Sequence, residues 1–146
     1  MVLEVLAFKL FQSGNVSFEY DESWEVEDAD TFNNPDCIAT LSKGENNLIN
    51  VVAFPTGTNL DAYKEFMEKT ISEDGGSILE SNFIQIASMD AIKLHANIKT
   101  PEITFDIHTF VFIEKGSIYI FELRTTDYSS KSIDEYENMI STLKLE

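Results

Sequence analysis

ITFDIHTFVFIEKGSIYIFELRT, residues 103–125, reads as two strands around a tight turn, and the side chains of this ribbon decide the fold. Lys115-Gly116 suits a two-residue hairpin turn, which needs positive φ and therefore favours glycine. With that turn, Ile113 meets Ile118 and Val111 meets Ile120 on one side. On the other side Phe112 meets Tyr119 and Phe110 meets Phe121. The ribbon is apolar on both faces. A sheet with one side in water does not carry Phe110, Phe112, Tyr119, Phe121 and Leu123 on that side, so each face requires its own cover.

Two amphipathic helices supply the covers. The spacing of Leu60, Tyr63, Phe66, Met67 and Ile71 predicts a helix over 59–73, with Thr58 or Asn59 as its cap and Asp74-Gly75-Gly76 as its end. The glycine pair follows a helix and precedes a strand, the wrong order for a phosphate-binding loop. Ile133, Tyr136, Ile140 and Leu143 predict a second helix over 132–143, and Ser132 and Glu135 have capping-box spacing. The expected architecture is α+β: a single domain over 1–146, built as a three-layer α/β/α sandwich. Its central sheet is mainly antiparallel, of about six or seven strands, with one helix on each face. Placing both helices on one face would leave the aromatic side wet.

The remaining strands follow from alternation and turn residues. Segments 3–11 and 16–20 flank Gln12-Ser13-Gly14-Asn15, and 37–42 and 48–54 flank Lys43-Gly44-Glu45-Asn46. Further strands are expected at 78–86 and 91–98. If Lys99-Thr100-Pro101-Glu102 is a four-residue loop, Ile98 faces Ile103, Ala96 faces Phe105 and Leu94 faces Ile107. On the opposite side Asn97 faces Thr104, His95 faces Asp106 and Lys93 faces His108. A one-residue slip would mix the apolar and polar sets, so the register is expected to be well specified.

Composition excludes some functions. Acidic residues number 26 against 10 basic ones, a formal net charge of −16, and Arg124 is the only arginine. A chain that tracks phosphates needs clustered cations, so nucleic acid is not an expected partner, and an anionic membrane surface would repel the chain. A protein with a basic surface is compatible with this charge. A single cysteine, Cys37, permits no internal disulfide. MVLEVLAFKLF lacks the basic start of a signal peptide and is too short to span a bilayer, so a cytoplasmic location is expected. Asn15-Val16-Ser17 fits the glycosylation sequon, a pattern common by chance.

The stretch Val16-Ser17-Phe18-Glu19-Tyr20-Asp21-Glu22-Ser23-Trp24-Glu25-Val26 resembles the strand-then-Trp start of the Mog1/PsbP-like superfamily. Asn50-Val51-Val52, Leu60-Asp61-Ala62-Tyr63, Ala91-Ile92-Lys93-Leu94, Gly116 to Phe121 and Ile140 to Leu145 resemble later pieces of that pattern in the same order. Asp21 stands where proline is usual, and Met89-Asp90 where a Gly-x-Ala turn is common. The resemblance implies an α/β/α sandwich and no particular reaction. Such proteins include an accessory subunit of photosystem II and a binder of the nuclear-transport GTPase Ran, and fold alone does not choose among them.

Three groups of residues carry chemical interest. Glu19, Asp21, Glu22, Glu25, Glu27, Asp28 and Asp30 form an acidic run with no Lys or Arg inside it, readable as a solvated loop or as a docking surface for a basic partner. Asp28 and Asp30 begin like a calcium loop, but Phe32 occupies the next ligand position. His95, Asp106 and His108 share one sheet face, readable as sheet stabilisation, a metal site or an oriented base. Trp24 is expected to be a structural plug, Cys37 a buried small residue, and Glu122 and Arg124 a mutual ion pair facing Thr109 and Ile107. No serine-nucleophile elbow, phosphate loop or dinucleotide fingerprint is present. The expected function is a non-enzymatic binding or accessory domain that engages a protein, with no cofactor or metal. The alternatives are a small-ligand carrier with an aromatic pocket and a metal-dependent hydrolase using His95 and His108.

Overall fold

The computed structural model describes residues 7–27, 34–127 and 130–146. Two hairpins come first: β1 (Phe8–Ser13) with β2 (Val16–Asp21), then, after the short β3 (Glu25–Glu27), β4 (Cys37–Lys43) with β5 (Asn47–Pro55). Helix α1 (Leu60–Glu73) leads to β6 (Ser77–Ile86), β7 (Met89–Lys99), β8 (Thr104–Glu114) and β9 (Ser117–Thr125). Helix α2 (Ser130–Ser141) and β10 (Lys144–Leu145) close the chain. The central sheet has seven strands in the order β3-β4-β5-β9-β8-β7-β6, with every pairing antiparallel.

Both faces of the late ribbon are covered, and its register is the expected one, with Phe110 opposite Phe121 and Val111 opposite Ile120. Lys115 (φ 51°) and Gly116 (φ 79°) make the turn. On one face Ile92, Leu94, Ala96, Ile107, Val111 and Ile118 pack around Met67 of α1, joined by the partly buried Leu60, Tyr63 and Ile71. On the other, Phe110, Phe112, Tyr119, Phe121 and Leu123 pack against Tyr136, Met139 and Ile140 of α2. Tyr136 also donates its hydroxyl to Phe121 O at 2.8 Å. The layers are therefore helix, sheet, helix.

The aromatic face has a second cover. β1, β2 and β10 form a separate three-stranded sheet in the order β1-β2-β10. Its inner side brings Phe18 within 6.1 Å of the Phe121 ring, and Asn15 Nδ2 donates to Tyr119 Oη at 2.6 Å. Val16 and Phe18 of the small sheet join the same core cluster as the α2 residues and the sheet aromatics. The first hairpin turn is correspondingly tighter than expected: β1 runs on to Ser13, which pairs with Val16 across Gly14-Asn15, and Gly14 has φ 57°.

The structure corrects several details. β7 and β8 pair two residues out from the expected register: Ile98 faces Phe105, Ala96 faces Ile107 and Asn97 faces Asp106. The loop is 100–103, closed by Thr100, whose N donates to Ile103 O at 2.8 Å and whose Oγ1 accepts from Ile103 N at 3.1 Å. A shift of two preserves side-chain parity, so the apolar and polar sets stay on their expected faces. Asn59 alone caps α1, accepting from Ala62 N at 2.9 Å. Phe66 is 59% exposed and stands outside the α1 core stripe. Ser132 is buried inside α2, which begins at Ser130, so it is not a cap, and Glu135 ion-pairs with Lys43 instead of closing a capping box. Asp74-Gly75-Gly76 ends α1 as expected: Gly75 takes φ 83° and Gly76 N donates to Ile71 O at 2.9 Å, where a Cβ on Gly76 would lie 2.7 Å from both Ile71 Cγ2 and Ile98 Cδ1.

Candidate functional site

A polar row interrupts the apolar α2 face of the sheet. His95 and His108 sit directly opposite one another on β7 and β8, with ring centroids 4.0 Å apart and 19° between planes. The adjacent row is Asn97 and Asp106, and it continues across the sheet as Thr125 and Asn47. His95 Nε2 lies 2.9 Å from Asp106 Oδ2, and Asn97 Nδ2 donates to Asp106 Oδ1 at 2.7 Å. Burial works to raise the Asp106 carboxyl, but the hydrogen bonds from Asn97 and His95 outweigh it and hold the group below its ordinary value.

His108 is the exceptional member. It is 8% exposed, and among the described residues its Nε2 has no hydrogen-bond partner. Desolvation, with the neighbouring His95 second, pushes its pKa down to about 4, so the ring is neutral near pH 7. Glu80 of β6 stands opposite His95. Lys93 lies 3.5 Å from Glu80 and 3.7 Å from Glu137 of α2, so charged groups rim the row. One ligand atom from each of His95, Asp106 and His108 falls within 4.8 Å of the others. The two histidines thus share a face, as the sequence requires of a joint site, although His95 meets Asp106 diagonally and not squarely. The sequence reading missed the role of Asn97 in orienting Asp106; its place two residues from His95 was the available signal.

The first part of the acidic run occupies a different place, the outer side of the small sheet. Phe8 opposes Asp21 and Leu10 opposes Glu19, so these four side chains share one face, with Phe8 53% and Leu10 65% exposed. Asp21 accepts from Ser23 Oγ at 2.5 Å and Ser23 N at 2.9 Å. Those hydrogen bonds hold its carboxyl below the usual value, with Lys43 and Lys131 adding at longer range. Glu19, Asp21, Glu22, Lys131 and Glu135 line an open cleft of about 710 Å³. The run is therefore less cation-free in space than along the chain. Glu25 and Glu27 lie on β3, where Glu27 accepts from Ser42 Oγ at 3.0 Å. Asp28 and Asp30, with the calcium reading that begins on them, lie outside the described residues.

The other singled-out residues are spread apart. Trp24 is 3% exposed, between β2 and β3, with Lys43 Nζ 6.0 Å from its ring centroid. Cys37 is buried on β4 and three strand steps from β8, about 14 Å, so it is remote from His108. Arg124 Nε donates to Glu122 Oε1 at 2.6 Å, opposite Ile107 and Thr109.

No family model matches the sequence, nor does any curated protein sequence. Solved structures do match. The seven-stranded sheet between two helices is similar to cyanobacterial PsbP (CyanoP) from Synechocystis sp. PCC 6803, with a TM-score of 0.69 at 12% identity, covering 99% of this chain and 95% of that one. It is also similar to LpqN, involved in cell envelope biogenesis of Mycobacterium tuberculosis, with a TM-score of 0.63 at 10% identity over 97% of this chain and 92% of that one. A Bacteroides thetaiotaomicron protein matches with a TM-score of 0.66 at 14% identity over 94% of this chain, which spans 48% of that protein. The class is an α/β/α sandwich with an antiparallel sheet. The fold is PsbP-like, and the resemblance to the Mog1/PsbP-like superfamily holds at that level. Among the described residues no helix is long and apolar enough to cross a membrane.

Proposed function

We propose that this chain is a non-enzymatic binding or accessory domain that docks a protein with a basic surface on the outer side of β1 and β2. One observation supports this reading above the others: exposed Phe8 and Leu10 stand directly opposite Asp21 and Glu19. Apolar area for affinity and carboxylates for steering lie side by side there, which suits a cationic, partly apolar segment. Among the described residues β1 is an edge of its sheet, the kind of strand that strand addition uses. A small-ligand carrier has weaker support, because Phe18, Phe110, Phe112 and Phe121 are fully buried and serve as core.

The test is affinity purification from the native cells with the wild-type chain and with the Glu19→Lys/Asp21→Lys variant, matched for folding by circular dichroism. The expected result is a partner held by the first, lost by the second and released by added salt. A partner held equally by both chains contradicts the reading, as does an enzymatic turnover that disappears in His95→Ala.

A further inference from the structure

A buried nitrogen with no partner costs stability, and a native structure that retains one calls for a reason. His108 Nε2 is such an atom. Strand geometry explains what surrounds it. Side chains at i and i+2 project from one face, and the residue opposite on the next strand joins them. Asp106 and His108 are the i and i+2 pair, and His95 is the residue opposite.

We infer that His95, Asp106 and His108 form a binding site for one divalent first-row transition-metal ion, of which zinc is the type. The donor set is two imidazole nitrogens and a carboxylate oxygen. Those donors suit zinc and its neighbours in the row, whereas calcium and magnesium take oxygen ligands. Asn97 holds the carboxylate from behind at 2.7 Å, the supporting contact that fixes a ligand's orientation. Among the described residues, the carboxylate of Asp106 at the site and those of Glu80 and Glu137 beside Lys93 outnumber that ammonium, a balance that favours an incoming cation. His95, with its side chain 27% exposed, is the side from which the ion enters.

Binding requires a local rearrangement. Ligands about 2.0–2.2 Å from a tetrahedral ion lie roughly 3.4 Å from each other, and the three ligand atoms here lie within 4.8 Å of one another. The imidazoles must turn out of their stacked arrangement so that the donor atoms converge, and His95 exchanges its contact with Asp106 for the metal. Three protein ligands then leave a fourth position for water or for a donor from a bound partner.

The full chain, freed of metal by chelation, is titrated with zinc by calorimetry and with cobalt(II) by visible absorption. Excess magnesium is present throughout to occupy surface carboxylates. The expected result is one equivalent of tight binding, with the visible bands of four- or five-coordinate cobalt. His108→Leu abolishes both signals, and Asn97→Ala weakens binding by about 10–100-fold while keeping the cobalt spectrum. If His108→Leu does not fold, His95→Ala provides the same comparison from a partly exposed position. Absence of binding in the wild-type chain overturns the inference, as does binding that magnesium removes or that survives loss of the histidine.

Discussion

The two faces of the central sheet are built from the same strands, and they differ in what they bury. The α1 face is aliphatic, with Ile92, Leu94, Ala96, Ile107, Val111 and Ile118 closed by Met67. Of the buried polar residues described, Thr109 alone projects there. The α2 face combines aromatic rings with Asn47, Asp106, His108 and Thr125, all buried. Excluding polar atoms is the solution for a face that only holds the chain together, since each unpartnered one is costly. The α2 face departs from that solution in the rows of His95 with His108 and of Asn97, Asp106, Thr125 and Asn47. The difference separates a face that only holds the chain together from the face that carries the proposed metal site.

Removing a core side chain from either face has the largest expected effect. Phe121→Ala on the α2 side is expected to lose about 3–5 kcal/mol and Leu94→Ala on the α1 side about 2–5 kcal/mol, by denaturant unfolding. A loss below about 0.5 kcal/mol at either site would mean that its face is solvated and the comparison is void.

Acid is expected to act through the α2 face. The His108 imidazole is depressed from 6.5 to about 4 in the folded chain, so the unfolded chain binds the proton more readily between those values. Stability of the metal-free protein is therefore full above 6.5 and declines as the pH falls toward about 4, by up to about 3 kcal/mol. Asp106 contributes separately, below its ordinary 3.8, because its carboxyl is lowered. His108→Leu is expected to flatten the upper slope and to leave the metal-free protein equally stable at neutral pH, or about 1–2 kcal/mol more so. A marked loss at neutral pH would show that the ring has a partner.

The smallest effect sharpens the edge of the α1 face. Phe66→Ala is expected to change stability by less than about 0.5 kcal/mol, against about 2 kcal/mol or more for Met67→Ala beside it. Equal losses would place Phe66 in the core.

Much of this contrast was legible in the residues. Alternation along 103–125 fixes which side chains share a face, and hence the need for two covers. Alternation has period two, so it is blind to a shift of two, and the β7–β8 register escaped it for that reason. Thr100, whose hydroxyl closes the loop, decides that register through a local contact that no periodicity encodes. β3 and β10 are three and two residues long, too short to carry a pattern. The small sheet depends on β10 reaching β2 from the far end of the chain, a pairing of distant segments. Parity alone is enough to put His95, Asp106 and His108 on one face of the sheet. The missing partner of His108 was invisible, because it depends on what α2 and the neighbouring strands withhold.

The most direct measurement is the titration of the two imidazoles by nuclear magnetic resonance in the chelated protein. The His108 ring is expected to remain neutral down to about pH 4. A midpoint for His108 near the ordinary 6.5 would place that ring in water and contradict the claim that the α2 face buries an unpartnered, metal-ready nitrogen.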